Sequence, residues 1–102
     1  MAHKRLSPVD RKTEILAAAL RVAEKPGSYA KLTRASVATE ASCTEGLVSR
    51  YFGTMISLKR AVMRAAVHKE NLAIIAQGIA CNDAVAAKAP LNIRTAALQT
   101  LV

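Results

Sequence analysis

The alternation of apolar and polar positions along the chain has helical period almost throughout. Ile15, Leu16, Ala19, Leu20 and Ala23 recur at the offsets of one buried helix face, while Arg11, Lys12, Glu14 and Arg21 lie off it. Ser7-Pro8-Val9-Asp10 supplies a start signal, with a hydroxyl for the free N–H groups and a proline suited to the first turn. The first helix is therefore expected from Ser7 to about Lys25, where Pro26-Gly27 stops it. A short second helix, Arg34 to Ala41, follows Thr33 as its cap and buries Val37, Ala38 and Ala41. Ser42-Cys43-Thr44 reads as a tight turn, and Thr44 caps a third helix from Glu45 to Phe52, which Gly53-Thr54 ends.

A long fourth helix is expected from Ser57 or Leu58 to about Ala80. It carries one stripe of Leu58, Ala61, Val62 and Ala65 and another of Leu72, Ile75 and Ile79, with Gly78 as a kink or an end. Asn82 or Asp83 then caps a short alanine-rich helix reaching Lys88. Ala89-Pro90 interrupts, and Leu91 to Val102 reads as a last amphipathic helix. No strand pattern and no repeat is found. The fold class is all-α: a three-helix helix-turn-helix unit, a longer fourth helix and short C-terminal helices. Three segments follow: residues 1–6 as a basic arm, 7–64 as the helix-turn-helix domain, and 65–102 as a helical extension.

Two short helices joined by a three-residue turn suit one task in particular. The first braces the second, whose outer face is left free to enter a DNA major groove. Val48 and Phe52, four apart, turn inward, leaving Glu45, Gly46, Leu47, Ser49, Arg50 and Tyr51 outside or at the edge. Gly46 costs about 1 kcal/mol relative to alanine within a helix, which makes sense where the backbone must approach another surface closely. Composition adds to this. Among 102 residues, 15 Lys and Arg face 7 Asp and Glu, a formal charge of +8, and such an excess favours a polyanionic partner. With aromatics at 3%, no large sheet core is available.

The run Gly27-Ser28-Tyr29, Leu32-Thr33, Val37-Ala38, Ala41, Thr44, Gly46, Val48, Tyr51-Phe52 and Leu58 resembles the signature of the tetracycline-repressor (TetR) family of helix-turn-helix regulators. Ile15-Leu16-Ala17-Ala18-Ala19-Leu20 resembles that family's first helix, so the likeness covers about residues 11 to 64 and centres on 27 to 62. It departs at Ser42, where the family has a turn glycine, and at Ser49, where most members carry tyrosine. It departs again at Met55, where a lysine usually opens the fourth helix, leaving Lys59 and Arg60 to supply that contact. Members also continue into a large helical domain that binds an inducer and dimerises. Here about forty residues follow the fourth helix's start, with no aromatic after Phe52, so no inducer-binding cavity is expected.

The resemblance implies a bacterial cytoplasmic protein that binds double-stranded DNA as a homodimer and represses transcription. Arg50 becomes the leading base reader, since its fork fits guanine O6 and N7, with Ser49, Glu45 and Leu47 beside it. Thr33, Thr44, Tyr51 and Lys59 would hold phosphates, Gly46 would allow close approach, and Lys4 and Arg5 would reach a minor groove. Leu72, Ile74, Ile75, Ile79, Leu91, Ile93, Leu98 and Leu101 form either a dimer interface or the monomer's own core; the pattern leaves both open.

Other chemistry is thin. His3 and His68 stand alone, Glu40 and Glu45 read as solvated charge, and Cys43 and Cys81 read as buried free thiols. No nucleophile–base arrangement, phosphate loop or metal spacing appears, so no enzyme, cofactor or metal is expected. The N-terminus lacks the apolar run of a signal peptide and no stretch approaches a membrane span. A plasmid or phage accessory factor acting in partition is the second reading. A membrane-surface helix protein is a third, disfavoured by alanine-rich faces without tryptophan.

Overall fold

The computed structural model describes residues 7–100, and among them seven helices and no strand are found. Lys4, Arg5 and the rest of the expected basic arm, with Leu101 and Val102, lie outside the described residues. Helix α1 spans Pro8–Ala23, with Ser7 Oγ accepting the Asp10 amide at 3.2 Å and Pro8 in its first turn. It closes on Glu24, slightly before the expected end at Lys25. Helix α2, Arg34–Ala41, and helix α3, Glu45–Phe52, have the expected bounds.

The fourth helix differs from expectation at both ends. Helix α4 covers Met55–His68, starting earlier because Thr54 caps it: its Oγ1 accepts the Ser57 amide at 3.2 Å. It does not run on to Ala80. Lys69 to Asn71 reverse the chain, Glu70 takes a left-handed φ of 53°, and Asn71 Oδ1 accepts the Ile74 amide to start helix α5, Leu72–Ala80. The two apolar stripes thus belong to two helices, and α5 packs back against α4. Gly78 does not end α5, which continues to Ala80. A Cβ there would collide with Met63 and lie 2.8 Å from the Ala86 Cβ, so the missing side chain lets three segments meet. Asp83, rather than Asn82, caps the four-residue α6, Ala84–Ala87, and α7 runs from Leu91 to Gln99.

One apolar cluster runs from Ile15 to Ala97, and α4 carries it across residues 64 and 65 through Val62, Met63 and Ala66. Ile74 and Ile75 are enclosed in it completely, a burial that contributes about 1.5–3 kcal/mol per side chain. They close the monomer's own core, and the choice left open for them is thereby made. Leu91 and Leu98 remain exposed. The cysteines depart from expectation: Cys43 is only half-buried and Cys81 is exposed, both as free thiols. Among the described residues no helix is long and apolar enough to cross a membrane.

Candidate nucleic-acid interface

The pair α2–α3 is built from local signals. Thr33 Oγ1 accepts the Ser36 amide at 3.1 Å, and Ser36 Oγ accepts the Thr33 amide at 3.2 Å, a reciprocal box that fixes where α2 begins. Val37, Ala38 and Ala41 bury against α1, the main support of α2. The turn then takes a shape that glycine normally supplies. Ser42 sits at φ 56°, ψ 45°, and the Cys43 amide donates back to the Ala38 carbonyl at 2.9 Å. Ser42 thus takes the left-handed conformation although it carries a Cβ. Thr44 Oγ1 accepts the Leu47 amide at 3.2 Å and starts α3.

Val48 and Phe52 turn into the core, as their spacing requires, and fix the rotation of α3. Glu45, Gly46 and Arg50 lie on the solvent side. Leu47, Ser49 and Tyr51 are half-buried, with Leu47 and Tyr51 packed partly on the core. Arg50 pairs with no carboxylate among the described residues, where the ion pair found joins Arg21 to Glu40 at 3.0 Å. Glu40 is exposed, a solvated charge as expected, and also ties α1 to α2, although so exposed a pair is worth only about 0–1 kcal/mol. Nothing inside the protein demands glycine at position 46, because an added Cβ would meet only Thr44 Oγ1, at 3.9 Å.

The proposed phosphate-holding residues are distributed unevenly. Thr33 and Thr44 are exposed, but their oxygens are engaged as caps. Lys59 is half-buried on α4. Its Nζ donates to the Ala30 carbonyl at 3.2 Å and stands 5.6 Å from the centre of the Tyr29 ring, leaving part of its hydrogen-bonding capacity free.

Three positioning contacts escape a linear reading. Arg34 Nη2 donates to the Gly53 carbonyl at 3.4 Å and tethers the end of α3 to the start of α2. Lys12 Nζ lies 5.5 Å from the centre of the Phe52 ring, tying α1 to the same end. Tyr29, between α1 and α2, clamps the unit to the C-terminal helices. Its phenol donates to Asp83 Oδ2 at 2.6 Å, and its amide donates to Gln77 Oε1 at 2.8 Å. Gln77 Nε2 in turn donates to the Ala23 carbonyl at 2.6 Å. Burial, and then the neighbouring Asp83 carboxylate, raise the Tyr29 pKa well above the ordinary phenol value. Burial raises the Cys43 thiol as well. His68 is exposed at the end of α4, and among the described residues no cluster of His, Cys, Asp or Glu could hold a metal ion.

The chain matches no family model, no curated protein and no solved structure.

Proposed function

We propose that this protein is a sequence-specific, double-stranded-DNA-binding regulator with a helix-turn-helix of the tetracycline-repressor type, acting as a dimeric repressor without an inducer-binding domain. One observation carries the reading. A capped eight-residue helix, rotated by buried Val48 and Phe52, turns Glu45, Gly46 and an Arg50 free of carboxylate partners among the described residues outward from a brace formed by α1 and α2. The charge of +8 supports a polyanionic partner, and exposed Leu91 and Leu98 on α7 offer apolar area to a second copy. Glu45, Leu47, Ser49 and Arg50 face base edges in this reading. Thr33, Thr44, Tyr51 and Lys59 hold the backbone.

Selection of bound duplexes from a random pool, followed by titration of the winning site across ionic strengths, tests it. The expected result is a two-fold symmetric site whose log affinity falls steeply and linearly with log salt, as several phosphate contacts require. An unenriched pool, or affinity indifferent to salt, overturns the reading.

A further inference from the structure

One helical stripe of α4 carries exposed Ile56, Arg60 and Arg64 and ends at Val67, which is half-buried against the core. This stripe forms one wall of a trough whose other wall is α6 and the residues after it. Two adjoining hollows of about 480 and 210 Å³ share Arg60 and Val85 and make the trough continuous. Val67, Val85 and Pro90 line it with apolar surface, while Arg60, Arg64 and Lys88, all exposed, stand over it.

None of these three cations pairs with a carboxylate among the described residues. Asp83, the carboxylate at the trough, is already committed. Its Oδ2 accepts from Tyr29, and its Oδ1 accepts the Val85 and Ala86 amides. The result is a net positive rim above an apolar floor, with Asp83 and Lys59, the latter a proposed DNA-backbone contact, lining its Ile56 end.

We infer that this trough docks an acidic amphipathic helix of a partner protein, its apolar side chains on the floor and its carboxylates against Arg60, Arg64 and Lys88. Shape and charge both favour that occupant. From Ile56 to Val67 the wall runs about 16 Å, the length over which a docked helix presents anchors at successive turns. The trough is open along its side, so it does not enclose a small molecule as deeply as a ligand pocket does. A phosphate backbone would satisfy the cations and leave the apolar floor unused. Because only two residues separate α3 from α4, a partner seated here brings negative charge to a helix adjoining the proposed DNA-reading element, which couples its binding to that of DNA.

The test uses the full chain and two labelled helical peptides. One has leucine along one face and glutamate elsewhere; in the other the leucines are replaced by serine. Fluorescence anisotropy should show binding of the leucine peptide, weakened about tenfold or more by Arg64→Glu with Lys88→Glu, and binding of the serine peptide weaker by a similar factor. Both substituted residues are exposed, and an unchanged melting curve verifies that the variant folds. Equal affinity for the two peptides, or no effect of the charge reversal, overturns the inference. Loss of DNA affinity in the variant, with no peptide binding to the parent chain, also overturns it and makes the trough a phosphate contact. Peptide binding is read without DNA, so a failed DNA-binding reading leaves this result standing.

Discussion

The Tyr29 phenol and the Asp83 carboxylate, 54 residues apart, meet in a 2.6 Å hydrogen bond that joins the loop between α1 and α2 to the C-terminal helices. Asp83 also caps α6 through its other oxygen, so one side chain sets the start of that helix and anchors the loop before α2. The two parts of the chain are expected to unfold together.

Tyr29→Phe keeps the buried ring and removes this bond. A hydrogen bond to a charged group contributes about 1.5–3 kcal/mol, and chemical denaturation should show a loss in that range. The folded phenol titrates above its unfolded value, so the folded state holds the extra proton as pH rises. The contribution is full below about pH 10 and is lost progressively above it, as pH climbs toward the raised folded value. Stability should therefore fall above pH 10 more steeply in the parent than in Tyr29→Phe. Parallel curves would mean that Tyr29 ionises as freely folded as unfolded.

Ser42 holds a backbone conformation, φ 56° and ψ 45°, that disfavours any residue with a Cβ by roughly 1–2 kcal/mol. Ser42→Gly removes that strain but gives the unfolded chain more freedom, leaving a net gain of about 0.5–1 kcal/mol. Thermal melting should show a higher midpoint, with DNA affinity unchanged. A lower midpoint would mean that the Ser42 backbone carries no such strain.

Local features of the fold were legible because their physics is local. Ser7, Thr33 and Thr44 each accept an amide three residues ahead, at the helix starts that a hydroxyl before an apolar-periodic run predicts. The reversal at Lys69 to Asn71 was not, since neither Gly nor Pro marks it. Glu70 there takes a left-handed conformation, and the trace left in sequence is the Asn71 cap; Leu72, Ile75 and Ile79 keep the heptad positions of Leu58, Ala61 and Ala65, so the stripe runs on in register and hides the break. The outward side of α3 followed from the spacing of Val48 and Phe52. The contacts that hold that helix in place, Arg34 to Gly53 and Lys12 to Phe52, join residues distant in sequence, and no periodicity announces them.

Gly46 separates a cost to the fold from a benefit to binding. An alanine methyl at position 46 has open space, so Gly46→Ala should stabilise the protein by about 0.5–1 kcal/mol. In the proposed complex the same methyl stands between the backbone of α3 and the duplex. Affinity should then fall on all sequences alike, measured by mobility shift beside a melting curve. Higher stability with undiminished affinity would place the first turn of α3 away from DNA.

Self-association should depend on α7 and not on the enclosed isoleucines. Leu91→Glu with Leu98→Glu changes exposed positions and should convert a dimer to a folded monomer in sedimentation at micromolar concentration. Ile75→Ala opens a cavity and should cost about 2–5 kcal/mol of monomer stability, without itself removing apolar area from α7. A monomeric parent chain, or a dimer that survives both glutamates, would exclude α7 as the interface.

Arg50 and Lys59 should separate reading of sequence from holding of the backbone. Arg50 is the only cation from Thr44 to Phe52, lies exposed, and can give two parallel hydrogen bonds to one guanine. Arg50→Ala should cost about 1–3 kcal/mol on the selected site and relax preference at one or two base pairs. Lys59→Ala should weaken matched and scrambled sites alike and lower the salt slope by about one unit. It should also lower thermal stability, because the Lys59 ammonium holds the Ala30 carbonyl and lies against the Tyr29 ring. Arg50→Ala should leave the melting curve unchanged, since no partner inside the protein is lost. Measuring both variants on both duplexes, with a melting curve for each, distinguishes the roles. Equal loss on the two sites for Arg50→Ala would make Arg50 a backbone clamp and move base reading to Glu45, Leu47 and Ser49.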